Sequence, residues 1–159
     1  MKLYMQKDGF RWGGSQPLTD RSGRTRYTVS GEAYSHGRRI HVTDLAGREA
    51  IYIRQVIPSL FPRYEIEVYG KPVAELKKDL TFAHPRCTIE SLGWEVMGSL
   101  GRRKYEILLE GRTLCASGPD PENPDRLLLS LSADKQELLT ALGVMLTINC
   151  IFATQESGA

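Results

Sequence analysis

Four side chains able to hold an anion, Arg26, Arg39, His41 and Arg54, fall on the polar phase of three runs in which every second residue is apolar. Tyr27 and Val29 alternate with Arg26 and Thr28, Ile40 and Val42 with Arg39, His41 and Thr43, and Ile51 and Ile53 with Tyr52 and Arg54. A period of two puts successive side chains on opposite faces of a strand, so the basic set points to solvent and the apolar set to a core. If the runs pair consecutively, outward side chains on neighbouring strands stand about 5 Å apart. The four groups then form a cationic stripe able to hold a phosphate. The competing reading is a plain solvated face.

Other chemistry is thinner. His84-Pro85-Arg86-Cys87 places a His and a Cys three apart, half of a zinc site, but His36 and His41 have no cysteine near them to complete it, so no metal is expected. Cys87, Cys115 and Cys150 are odd in number and far apart, which reads as reduced packing residues. Cys150 lies inside an apolar run, where burial raises a thiol pKa and makes it inert. Gly13-Gly14 and Gly98-Ser99-Leu100-Gly101 precede no helix, so they read as turns and not as phosphate cradles. Trp12 and Trp94 read as core or rim packing. The charge runs Lys77-Lys78 and Arg102-Arg103-Lys104 read as solubilising residues at strand ends. No catalytic motif and no cofactor follow from these residues.

The elements that must position these groups are short strands. From residue 2 to about 131, alternating runs are each followed after roughly 8 to 12 residues by a turn signal, the spacing of hairpins. Thr19-Asp20-x-x-Gly23-Arg24 recurs as Thr43-Asp44-x-x-Gly47-Arg48, and Tyr64-Glu65-Ile66 with Gly70-Lys71 recurs as Tyr105-Glu106-Ile107 with Gly111-Arg112. In both pairs the glycine sits where a hairpin requires positive φ, which predicts one sheet of stacked, similar hairpins. Gly118 to Asp125 holds three prolines and three acids and is expected as an exposed loop that cannot pair. With 41% hydrophobic and 25% charged residues the chain suits one globular domain, residues 1–155, followed by a disordered tail, 156–159. The net charge of +2 is too small to argue for nucleic acid, although the first 80 residues hold 14 Lys/Arg against 9 Asp/Glu and the rest 7 against 10. The opening MKLYMQKDGF carries no secretory signal pattern, so the expected location is cytoplasmic, with peripheral attachment at a membrane surface allowed.

Asp134 and Glu137 have the spacing of a capping box, and Leu138 to Ala153 has only Thr140, Thr147 and Asn149 as polar members, which predicts a helix from Asp134 to about Phe152. A helix apolar on every side must be surrounded on every side. Sixteen residues span about 24 Å, short of the roughly 30 Å hydrocarbon core of a bilayer, so the favoured surroundings are the protein's own strands.

The stretch Ala33-Tyr34-Ser35, Ile40-x-Val42-x-Asp44-x-x-Gly47, Ile51-Tyr52-Ile53-Arg54-Gln55, Ser59-Leu60-x-Pro62-x-Tyr64-Glu65-Ile66, Val73-Ala74-x-Leu76-Lys77-Lys78 and Thr81-Phe82 resembles the LURP-one-related family, over about Tyr4 to Thr154. That family belongs to the tubby-like superfamily, and the resemblance implies a closed antiparallel β-barrel of about twelve strands around a hydrophobic C-terminal helix. Tubby domains bind phosphoinositide head groups, and the related scramblases are associated with phospholipid movement. No tubby lipid-binding residue has a matching position here, and the acidic loop from Gly118 departs from the family pattern. The expectation is a non-enzymatic binding or scaffold module for an anionic phospholipid or phosphoinositide head group, with no nucleic acid and no identified protein partner. A hydrolase-like enzyme with a surface pocket and a tail-anchored protein taking part in phospholipid scrambling are the alternatives.

Overall fold

A run of short hairpins with one apolar face each can satisfy its backbone only by joining edge to edge, and it does. The computed structural model describes residues 1–7, 10–34, 37–57, 62–79 and 86–157. Among the described residues twelve strands are formed: β1 (Lys2–Gln6), β2 (Ser15–Thr19), β3 (Thr25–Tyr34), β4 (Gly37–Thr43), β5 (Glu49–Gln55), β6 (Arg63–Val68), β7 (Lys71–Asp79), β8 (Arg86–Thr88), β9 (Glu95–Ser99), β10 (Lys104–Leu109), β11 (Arg112–Asp120) and β12 (Asn123–Leu131). A helix, α1 (Lys135–Ser157), follows. The strands make one sheet in the order β8-β7-β6-β5-β4-β3-β2-β1-β12-β11-β10-β9, and all its ladders are antiparallel.

The expected closed barrel is therefore corrected to an open sheet. β8 and β9 are its two edges, and between them runs no ladder, only the isolated bridge Ile89↔Trp94 across a 3-10 turn at Glu90–Leu92. β8 is three residues long, too short to offer a ladder on two sides. The sheet is also thin between β1 and β2, which pair only at Tyr4↔Thr19. There Pro17 has no N–H to donate, and the Gln6 N–H finds its acceptor in the Gln16 side chain, donating to Oε1 at 3.2 Å.

The repeats behave as their glycines require. Gly23 and Gly47 have φ of 85° and 80° in two matching turns. In each the Asp carboxylate accepts from the backbone N–H two and four residues on: Asp20 from Ser22 and Arg24 at 2.9 and 3.1 Å, Asp44 from Ala46 and Arg48 at 2.9 Å each. Tyr69-Gly70 and Glu110-Gly111 are two-residue turns with positive φ at both positions, 46° and 82° in one, 50° and 79° in the other.

Gly118 to Asp125 is not a loop. β11 runs through Pro119 to Asp120 and β12 starts at Asn123, so only two residues turn. Pro119 pairs with Leu127 across β12 but lies beyond the last β10 partner, which is opposite Ser117, so its missing donor faces no neighbour. Asp120 shapes the bend by accepting from the Glu122 N–H at 3.1 Å and from Arg126 at 2.9 and 2.6 Å.

The sheet curves over α1, which packs on β5, β6, β7, β11 and β12. Asp134 caps it, its carboxylate accepting from the Glu137 N–H at 3.0 Å. Every residue from Thr140 to Ile151 is buried. Asn149, one of the three polar residues in that run, donates to Ser117 Oγ at 3.2 Å and accepts from Tyr105 Oη at 2.9 Å, and Ser117 donates on to the Arg103 carbonyl at 2.9 Å. A buried amide so satisfied ties the helix to β10 and β11 without the cost of an unpaired polar group. No helix among the described residues is long and apolar enough to cross a membrane. The sheet, not lipid, covers the apolar faces of α1, which overturns the tail-anchored, scramblase-like alternative together with the barrel.

Candidate functional site

The four basic residues of the expected stripe do not form one. Arg39 on β4 stands directly opposite Arg54 on β5, and His41 lies one row over, opposite Tyr52. Arg39's partner on β3 is Glu32, six residues from Arg26, about 20 Å along an extended strand. Arg26 thus sits at the hairpin end of the sheet, 3.9 Å from Asp20.

The stripe is also neutralised where it lies. Across five strands one row reads Glu32↔Arg39↔Arg54↔Glu65↔Glu75. Arg54 donates to Glu65 at 2.5 Å, and Arg63 joins from the next row by donating through Nε to Glu75 at 2.7 Å. Two guanidinium residues directly opposite would repel, and acids at both ends of the row offset this. The acidic partners were present in the alternation, but which carboxylate faces which cation depends on register.

His41 is held from both sides: Nε2 is 2.9 Å from Glu32 and Nδ1 2.7 Å from Glu49, with the ring stacked on Tyr52 at 5.2 Å. Burial works against the imidazolium, yet the hydrogen bonds and charges of Glu49 and Glu32 outweigh it and raise the pKa above its ordinary 6.5. Only the imidazolium can donate to both carboxylates at once. A folded-state pKa raised above the unfolded value adds stability that is full below about pH 6.5 and is lost as pH rises through the higher folded value. The melting temperature of the native chain minus that of His41→Gln should therefore be largest near about pH 5.5 and shrink toward about pH 8.5. A difference that stays constant over that range would show that the bridge does not depend on the proton.

The other candidates are structural or lie elsewhere. Arg103, expected as an exposed strand-end charge, is fully buried with φ of 56° and donates from Nη1 to the Lys7 carbonyl at 3.2 Å. Trp94 is in the core, and Trp12 packs edge-on against Phe10 at 5.0 Å beneath the Arg38 guanidinium. Burial pushes the Cys115 thiol up to about 12 and the Cys150 thiol higher still, so both are held protonated. His36 and His84 lie outside the described residues, and among the described residues no three His, Cys, Asp or Glu side chains are grouped to hold a metal.

Residues 1–138 match the family described as LURP-one-related. A curated relative, the uncharacterized protein YxjI of Bacillus subtilis (strain 168), is 34% identical over 107 residues, which is 67% of this chain. The aligned part spans 66% of that relative's length. Among solved structures, an X-ray structure of a protein from Arabidopsis thaliana shares the fold with a TM-score of 0.60 at 12% identity, covering 93% of this chain and 91% of that one.

Proposed function

The chain belongs to the LURP-one-related family, and from that premise we propose that it is a non-enzymatic binding module that docks on anionic phospholipid head groups at a membrane surface. The observation that carries this reading is where the charge lies. The first 80 residues, with 14 Lys/Arg against 9 Asp/Glu, build β1 to β7, which are contiguous in the sheet. The remainder, with 7 against 10, supplies β9 to β12 beside β1, the three-residue edge strand β8 beside β7, and the helix. A modest net charge of +2 thus becomes a polarised molecule, basic over the contiguous strands β1 to β7 and acidic over β9 to β12 with the helix. Such a body is turned and drawn by the negative potential of a lipid surface, an attraction that salt screens within about 10 Å at 0.1 M.

Because Arg26, His41 and Arg54 each have a carboxylate beside them, this reading rests on the field of the whole half and not on a pocket of bare cations. Co-sedimentation with vesicles of phosphatidylcholine plus phosphatidylserine should recover the protein at low salt, release it as salt rises, and leave it in the supernatant with phosphatidylcholine alone. Equal recovery with both vesicle types, or none with either, would sink the reading.

A further inference from the structure

We propose that the end of the sheet made by the turns at residues 20–24, 44–48 and 69–70 is the membrane-contacting face, with Leu45 entering between anionic lipid head groups. This rests on the lipid-docking reading above and assigns it a surface.

Antiparallel pairing in sequence order brings these three turns to one end: β3 begins beside the end of β4, and β5 begins beside the end of β6. The second and third of these turns are tied together. Tyr69 Oη donates to Asp44 at 2.9 Å, the Tyr69 N–H donates to the Ala50 carbonyl at 2.9 Å, and the Arg48 guanidinium lies 5.7 Å from the Tyr69 ring. The acids of the first two turns are turned inward. Asp20 is held below the usual carboxylate range chiefly by the Ser22 hydroxyl, and Asp44 chiefly by the Arg48 backbone N–H, then by Tyr69. Arg21, Arg24, Arg48 and Lys71 are exposed on the same end.

Leu45 has no part in building its turn. The equivalent position of the matching turn is Arg21, and both turns are closed by the Asp and the Gly. Yet Leu45 is 74% exposed, more than any other large apolar side chain among the described residues, and Tyr69 beside it is 48% exposed. An apolar apex at an end of the sheet that also exposes four cations fits an anionic bilayer, which admits an isolated apolar side chain while its phosphates meet the basic groups. A stable protein partner would need roughly 800 Å² of packed surface per side, and one leucine with one tyrosine edge does not supply an apolar centre for it.

The test compares the native chain, Leu45→Ser and Ile57→Ser on vesicles of phosphatidylcholine plus phosphatidylserine at low salt. Ile57, 50% exposed, follows β5 at the opposite end of the sheet and serves as the control. Leu45→Ser should weaken binding roughly tenfold or more, Ile57→Ser should leave it unchanged, and Leu45→Trp should bind and gain a blue-shifted emission on the vesicles. If the native chain binds but Leu45→Ser binds equally well, or if Ile57→Ser is the weaker variant, this face is wrong while the lipid reading stands. Failure of the native chain to bind overturns both.

Discussion

A chain ending at Asp134 should not fold. Leu142, Val144, Met145, Leu146, Ile148 and Ile151 are each at most 2% exposed, and the sheet residues they meet, Ile51, Ile53, Ile66 and Leu76 among them, are fully buried. Burying one such side chain stabilises by about 1.5 to 3 kcal/mol. Six of them match or exceed the whole net stability of a typical domain, about 5 to 15 kcal/mol. Removal of α1 would also open the apolar face of the sheet to water and leave Ser117 and Tyr105 without the Asn149 amide that now links them. The expected product is insoluble, or soluble with no cooperative thermal transition and strong binding of a hydrophobic dye. A truncated chain that melts cooperatively would show that the strands hold together without the helix, and the central role given to α1 would be abandoned.

Much of this architecture was legible because local chemistry decided it. Gly23, Gly47, Gly70 and Gly111 mark four turns of one sheet because each adopts the positive φ that glycine allows without steric cost. The helix was legible because a segment apolar on all faces has few surroundings to choose from. What was not legible depends on which strand meets which. A period of two reports the face of a residue and not the partner of an edge, so the missing β8 to β9 ladder left no mark in the pattern. The segment from Gly118 reads as a loop because proline cannot donate to a ladder, yet Pro119 pairs with Leu127 on β12 at a point beyond the last paired residue of β10. The candidate stripe failed for the same class of reason. Arg26, Arg39 and Arg54 share a face, but pairing places Arg26 level with the β4–β5 turn, far from Arg39. Arg26 itself falls at the irregularity of the β2–β3 ladder, between the pairs Leu18↔Tyr27 and Thr19↔Thr25. The buried Arg103 gave no signal at all, sitting between two charged neighbours in a run that reads as surface.

Gly143→Leu should loosen the seat of the helix on the sheet and lower the melting temperature. A Cβ at this position would stand 2.9 Å from Ile66 Cγ2 and 3.3 Å from Ile51 Cγ2, closer than carbon atoms pack without displacement, so the glycine sets how near α1 lies to β5 and β6. Alanine brings two opposed effects: a helical glycine replaced by alanine gains about 1 kcal/mol of propensity, while its Cβ would stand closer to Ile66 Cγ2 than Cβ atoms pack, and that methyl sits on a stiff β-branch and cannot swing aside, so the helix or strand must shift. The packing cost outweighs the propensity gain, and Gly143→Ala should melt below the native chain. Leucine adds three more carbons on the same line, and overpacking of that kind costs typically about 1 to 3 kcal/mol or more. For a domain of this length each kcal/mol moves the melting temperature by about 2 to 4 °C, so Gly143→Leu should melt several degrees below the native chain and also below Gly143→Ala. The cause can be checked by adding Ile66→Ala, which removes the methyl group in the way. Alone it costs about 2 to 5 kcal/mol as a core truncation. Combined with Gly143→Leu, the loss should fall short of the sum of the two by at least about 0.5 kcal/mol, the sign of residues in contact. A strictly additive double variant would mean that the leucine is not accommodated against Ile66, and that the helix does not seat on β6 at this point.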